Sequence, residues 1–144
     1  MHWLNENLAH LHALWERQTE YEQMARQEIN GADEGRKKAR SDFFLALKKL
    51  VSDIVRRQGI IAAFCCHDGL LLECAGDADN FDALAASGQH LLFDGMRTLK
   101  NLERGELTQL VLVGDTMTLA YFVVGQVAIG VVAEKGTNLN TSLS

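Results

Sequence analysis

Residues 59–76 read GIIAAFCCHDGLLLECAG. Gly59 opens a short apolar run rich in isoleucine, which predicts a buried strand over 60–66. Asp68-Gly69 is a two-residue hairpin turn signal, and 70–75 form the return strand. The same stretch gathers all three cysteines, Cys65, Cys66 and Cys74, with His67 and Asp68 directly after the first pair. Pairing across a two-residue turn sets His67 opposite Leu70, Cys65 opposite Leu72 and Ala63 opposite Cys74. Neighbours on a strand point to opposite faces, so Cys65 and Cys66 diverge. Cys65 and Cys74 share a face diagonally, while His67 lies near the turn and far from Cys74. These side chains do not converge on one metal ion. Nothing positive lies close in sequence to stabilise a thiolate, and Asp68 and Glu73 oppose it. The stretch therefore reads as buried cysteines behind a turn. A thiol enzyme would need a base and an oxyanion donor, and neither is identifiable here.

Working back from Gly59, residues 41–58 (SDFFLALKKLVSDIVRRQ) form an amphipathic helix. Phe43, Phe44, Leu47, Leu50, Val51, Ile54 and Val55 keep three-four spacing. Ser41 or Asp42 suits its start, and Arg56 and Arg57 suit its C-terminal dipole. The basic run 36–40 (RKKAR) is then a solvated helix start. Residues 30–35 (NGADEG) are the linker candidate. Residues 1–29 are helical, with Leu4, Leu8, Leu11 and Trp15 stacked on one face for helix packing or oligomerisation.

Working forward, Asp77 to Asn80 cap a helix over about 80–102. Its apolar positions include Phe81, Leu84, Leu91, Leu92, Met96, Leu99 and Leu102. Gly88 and Gly95 lie two turns apart on nearly one face. Interior glycines cost about 1 kcal/mol each against alanine, which points to close approach of another backbone. Three strands follow over 107–113, 117–124 and 127–133, joined by turns at Gly114-Asp115 and Gly125-Gln126. Residues 137–144 are expected to be a frayed polar tail. The organisation is an N-terminal helix and linker (1–35), a domain (36–136) and the tail.

The 144 residues are 47% hydrophobic and 23% charged, enough for one globular core. The net charge of -5 is uneven. Residues 1–58 hold ten Lys/Arg against nine Asp/Glu, and residues 59–144 hold four against ten. An acidic second half repels phosphate, so no nucleic-acid partner is expected. No apolar run spans a membrane, and the N-terminus lacks the pattern of a secretory signal. A cytoplasmic location with reduced thiols follows as an expectation. There is no glycine-rich phosphate loop, no G-x-S-x-G and no C-x-x-C. No catalytic residue, metal or cofactor is expected.

GIIAAFCCHDGLLLECAG at 59–76, DALAA at 82–86 and ERGELTQLVLVGDTMTLAYFVVGQVAIGVVAE at 103–134 carry a resemblance. Over about residues 41–135 the chain resembles the roadblock family, the small dynein-light-chain-like domains also found in bacteria and archaea. The resemblance implies an α+β fold: a roadblock-like five-stranded antiparallel sheet, element order α-ββ-α-βββ, flanked by helices. An additional N-terminal helix and the lack of a substantial C-terminal helix depart from the family pattern. The added helix would fill the vacated place or zip two chains together. Roadblock domains form dimers, in which the helix after the hairpin packs on its copy and the next strand pairs edge to edge. That implies an interface of Leu84, Gly88, Leu91, Leu92, Gly95, Met96, Leu99, Leu107, Gln109 and Val111. The implied function is a non-catalytic homodimer or higher oligomer that binds a small Ras-like GTPase or related partner. The alternative is a small-molecule or redox sensor with a closed apolar pocket between sheet and helix, where Cys65, Cys66 and His67 would make the contact.

Overall fold

The hairpin read from 59–76 becomes the inner strand β1 (Ile60–His67) and the edge strand β2 (Leu70–Gly76) in a computed structural model that describes residues 1–144. Around it stand α1 (His2–Arg26), α2 (Ala32–Ile54), α3 (Phe81–Asn101), β3 (Gln109–Val113), β4 (Met117–Val124), β5 (Val127–Glu134) and α4 (Leu139–Ser142). The strands form one sheet in the order β2-β1-β5-β4-β3, with every neighbouring pair antiparallel. The architecture is the expected α+β one: a five-stranded antiparallel sheet between helices.

Side-chain alternation splits the apolar residues between two cores. Ala63 and Cys65 face α1 and α2 with Phe43, Leu47, Phe122 and Ile129. Ala62, Phe64 and Cys66 face α3 with Ala85, Leu92 and Tyr121. Asp68 and Gly69 both adopt positive φ, 50° and 77°, as a primed two-residue turn requires. His67 pairs with Leu70 as expected. Beyond Cys66 and Leu71 the register slips at a bulge, so Cys65 pairs with Glu73 and Phe64 with Cys74. The extra residue, Leu72, displaces the pairings expected for Cys65 and Ala63. Cys74 thereby falls on the Phe64 side, opposite Cys65, and the shared face expected for those two thiols is not formed.

The first two helices differ from their expected limits. α2 begins at Ala32, so Ser41 and Asp42 lie inside it and the boundary placed at 35/36 falls within a helix. Gly31 makes the turn at φ 80°, and Asp33 and Glu34 occupy the first helical turn, where the dipole favours them. Gly35 is not a linker residue: its Cβ would strike the Tyr21 ring of α1. α1 packs within its own chain. Leu4 and Leu11 are fully buried in the core shared with Phe43 and Phe122, and Leu8, Trp3 and Trp15 pack against it. Each fully buried leucine contributes roughly 2 kcal/mol of transfer free energy. The Arg57 guanidinium stacks 3.8 Å from the Trp3 ring centroid.

The expected tail is ordered. Leu143 is fully buried in the α1–α2 core and Leu139 packs against it. The backbone N–H of Leu4 donates to the Leu143 carbonyl at 3.0 Å, and Ser142 Oγ donates to the Gln58 carbonyl at 2.7 Å. Asn138 caps this last turn, accepting from Thr141 N–H at 3.3 Å. Two leucines four apart on a helical turn share one face, and that small face is what docks the segment. No helix is long and apolar enough to cross a membrane.

Candidate functional site

The thiol cluster comes apart in three dimensions. Cys65 and Cys66 lie in different cores and Cys74 is exposed. Burial pushes the Cys65 thiol up to about 12 and the Cys66 thiol up to about 11. A thiolate is needed for nucleophilic or metal chemistry, and both sites oppose one. His67 turns away to Gln126 (3.4 Å) and Trp15 (6.4 Å between rings). The space between α3 and the sheet is an open cleft of about 360 Å³ rather than a closed pocket. It is lined by Ile61, Ala83, Leu84, Ser87, Met117 and Val132, at the far end from His67.

The surface that stands out is the β3 edge. Both outer strands of the sheet have a free edge, and an unpaired edge is a template for another strand. β2 is blunted by its bulge and by Glu73. β3 is not: its residues, QLVLV, contain no charge, no bulge, no glycine and no proline. Val111 and Leu112 are each 40% exposed and Val113 is 80% exposed. Valine and leucine in such positions leave apolar surface in water on both faces of one strand.

α3 covers one face of the sheet, lying against β1 and β2 and reaching Tyr121 of β4. Asn80 caps it, its side chain accepting from Ala83 N–H at 3.0 Å. Leu92 is buried, and Leu84, Leu91, Gly95 and Leu99 are half-buried. Gly88 does admit a close approach, but of Tyr121 in the same chain: an added Cβ would lie 2.5 Å from the ring. That approach lets Tyr121 OH donate to the Leu84 carbonyl at 2.8 Å. An added Cβ on Gly95 would meet only Leu107, at 3.2 Å. Met96 is exposed, and so are Phe93 and Leu102. Burial pushes the Tyr121 phenol up to about 12, with Cys66 a smaller contributor.

The ten interface residues expected from the sequence therefore divide. Leu84, Gly88, Leu91, Leu92, Gly95, Met96 and Leu99 belong to α3, and Leu107 joins them. Gln109 and Val111 pair with Phe122 and Ala120, so they face the α1–α2 side. Val113, Leu112 and Phe93 were not singled out from the sequence. Strand alternation from Val111 leads to Val113, and a helix position carrying an aromatic off the apolar stripe marks Phe93.

These features together define the roadblock fold, which the chain has. No family model matches the sequence and no curated protein sequence does. Solved structures match by shape. MglB of Myxococcus xanthus superposes with a TM-score of 0.62 at 19% identity, over 67% of this chain and 76% of that one. A Roadblock/LC7 domain from Streptomyces avermitilis gives 0.61 at 24% identity, over 66% and 83%. The gliding protein MglB of Thermus thermophilus gives 0.59 at 18%, over 66% and 75%.

Proposed function

We propose that the chain is a non-catalytic, dimeric interaction module that binds and regulates or scaffolds a small Ras-like GTPase or a related partner. The observation that carries the dimer is β3, an apolar edge with none of the devices that keep edges single. Two copies joined there about a twofold axis would form one ten-stranded sheet with antiparallel α3 helices. The GTPase reading is supported by the roadblock resemblance and by the apolar side chains that α3 keeps in solvent, Phe93 and Met96.

Light scattering on the purified chain at 500 mM NaCl tests the dimer: two chains per particle, reduced to one by Val111→Lys with Val113→Lys. A wild-type monomer sinks the reading. The partner is tested by a pull-down from the native cell with wild type and with Phe93→Glu. The expected result is a GTP-binding protein of Ras size, retained by wild type and lost with Phe93→Glu.

A further inference from the structure

α1 and α2 run on past the sheet. Trp15 marks the sheet's end: its ring lies 6.4 Å from His67, against Gly125 of the β4–β5 turn, and 5.5 Å from Phe43. Beyond that level, about eleven residues of each helix continue as an antiparallel arm, roughly 16 Å at 1.5 Å per residue. No residue from 16 to 42 joins either core. The arm has its own narrow seam. Gly35 lies against Tyr21, Ala32 and Ala39 are buried, and Gln18 is buried with its Oε1 unpartnered. Arg17 holds Asp42 across the seam at 3.4 Å.

The exposed charges of the two helices differ in balance on the solvent side. The outer face of α1 carries Glu16, which His12 contacts at 2.9 Å, and Glu20 beside exposed Met24. The outer face of α2 carries Lys37, Lys38 and Lys48 with one carboxylate, Glu34, and Leu45, which is 63% exposed. The cations of α2 that find carboxylates are Arg36 and Lys49, and Asp42 goes to Arg17. Lys37, Lys38 and Lys48 have none. The contacts Trp15–Phe43, Arg17–Asp42 and Tyr21–Gly35 set the register of the two helices. That register puts Glu20 level with Lys38 and Ala13 level with Leu45.

We propose that this arm is a second self-association surface, whose occupant is the same arm of another copy. A twofold axis parallel to the helices lays the acidic face of α1 against the basic face of the other copy's α2. It keeps each residue at its own level, so Glu20 of one copy meets Lys38 of the other and Leu45 lands on Ala13. Both contacts occur twice, as an isologous interface requires. A nucleic acid or an anionic bilayer fits less well, because either would meet Glu16 and Glu20 beside the lysines. The complement of an acidic ridge next to a basic ridge is the same pair in reversed order, and a second copy supplies it. The contact runs from the arm down to the level of Ala13 and Leu45, alongside the sheet, and shares no residue with β3. A chain using both surfaces assembles as four copies.

The experiment is light scattering at 50 and 500 mM NaCl. Four chains are expected at low salt and two at high salt, because these ion pairs are exposed and screened. Glu16→Lys with Glu20→Lys, or Lys37→Glu with Lys38→Glu, weakens the salt-sensitive step about tenfold, and the two pairs combined restore it. Unchanged circular dichroism and melting show that the arm still folds. A two-chain particle at both salts, or failure of the combined variant to restore association, overturns the proposal while leaving β3 pairing intact. The Val111→Lys, Val113→Lys chain isolates the arm: it pairs at 50 mM and is single at 500 mM.

Discussion

Replacing Gly88 by alanine separates two accounts of that glycine. On a solvent-facing helix the change gains about 1 kcal/mol in helix propensity. Here the new methyl arrives 2.5 Å from Tyr121 Cε1, 2.9 Å from Cζ and 3.2 Å from the phenol oxygen. The tyrosine is fully buried between β1, β5 and α3, with Phe64 edge-on at 5.9 Å, so it has little room to retreat. Overpacking of this kind costs roughly 1–3 kcal/mol. A retreating ring also gives up its 2.8 Å bond to the Leu84 carbonyl, and an orphaned buried hydroxyl costs a further ~1–3 kcal/mol. Set against the propensity gain, the net loss is about 3 kcal/mol, or ~9 °C in Tm for a chain of this size. Urea denaturation at two protein concentrations tenfold apart reads it. The same loss at both concentrations places the contact within the chain. A gain in stability refutes the close approach, and a loss confined to high concentration assigns Gly88 to a partner copy. Gly95→Ala is the control: it meets only the mobile end of Leu107 and is expected to keep the propensity gain, stabilising by up to about 1 kcal/mol.

In the native chain a maleimide at pH 7.5 should label Cys74 alone, and all three thiols once urea is added; rapid native labelling of Cys65 would contradict its burial. Cys65, Cys66 and Tyr121 have folded values raised to about 12, 11 and 12. The stability they contribute is therefore complete below about pH 9 and is lost as pH rises through 11 to 12. Urea midpoints that stay flat from pH 9 to 11.5 would refute this. Leu143→Ala should cost about 2–4 kcal/mol because the side chain is fully buried; a change under about 0.5 kcal/mol would mean the last turn is not docked.

Legibility in the sequence followed the strength of local signals. The β1–β2 turn was readable because Asp-Gly is nearly specific to it, and both residues take positive φ. The bulge at Leu72 was not, because LLLECAG alternates no less well with an extra residue than without one. The start of α2 was hidden by Gly35, whose presence answers to Tyr21, a residue fourteen positions away in another helix. Gly88 was recognised as a close-approach position, but composition does not say what approaches. α4 was missed because two leucines among Asn, Thr and Ser are too few for a periodic pattern. The β3 edge was legible as apolar; its exposure depends on strand order, which no local stretch encodes.

The order of synthesis puts α1 at a disadvantage that the finished core conceals. Leu4, Leu8 and Leu11 are made first, and α2 is their main neighbour, yet the core they join is completed only by β4, β5 and Leu143. Until about residue 130 has been made, α2 is the only partner for those leucines. Contacts this distant along the chain form late and slowly. During that interval the α1–α2 hairpin has an apolar side and no sheet beneath it, which is the kind of species that aggregates or recruits chaperones. Slow refolding that speeds up when α1 is supplied as a separate peptide would locate the delay in this step.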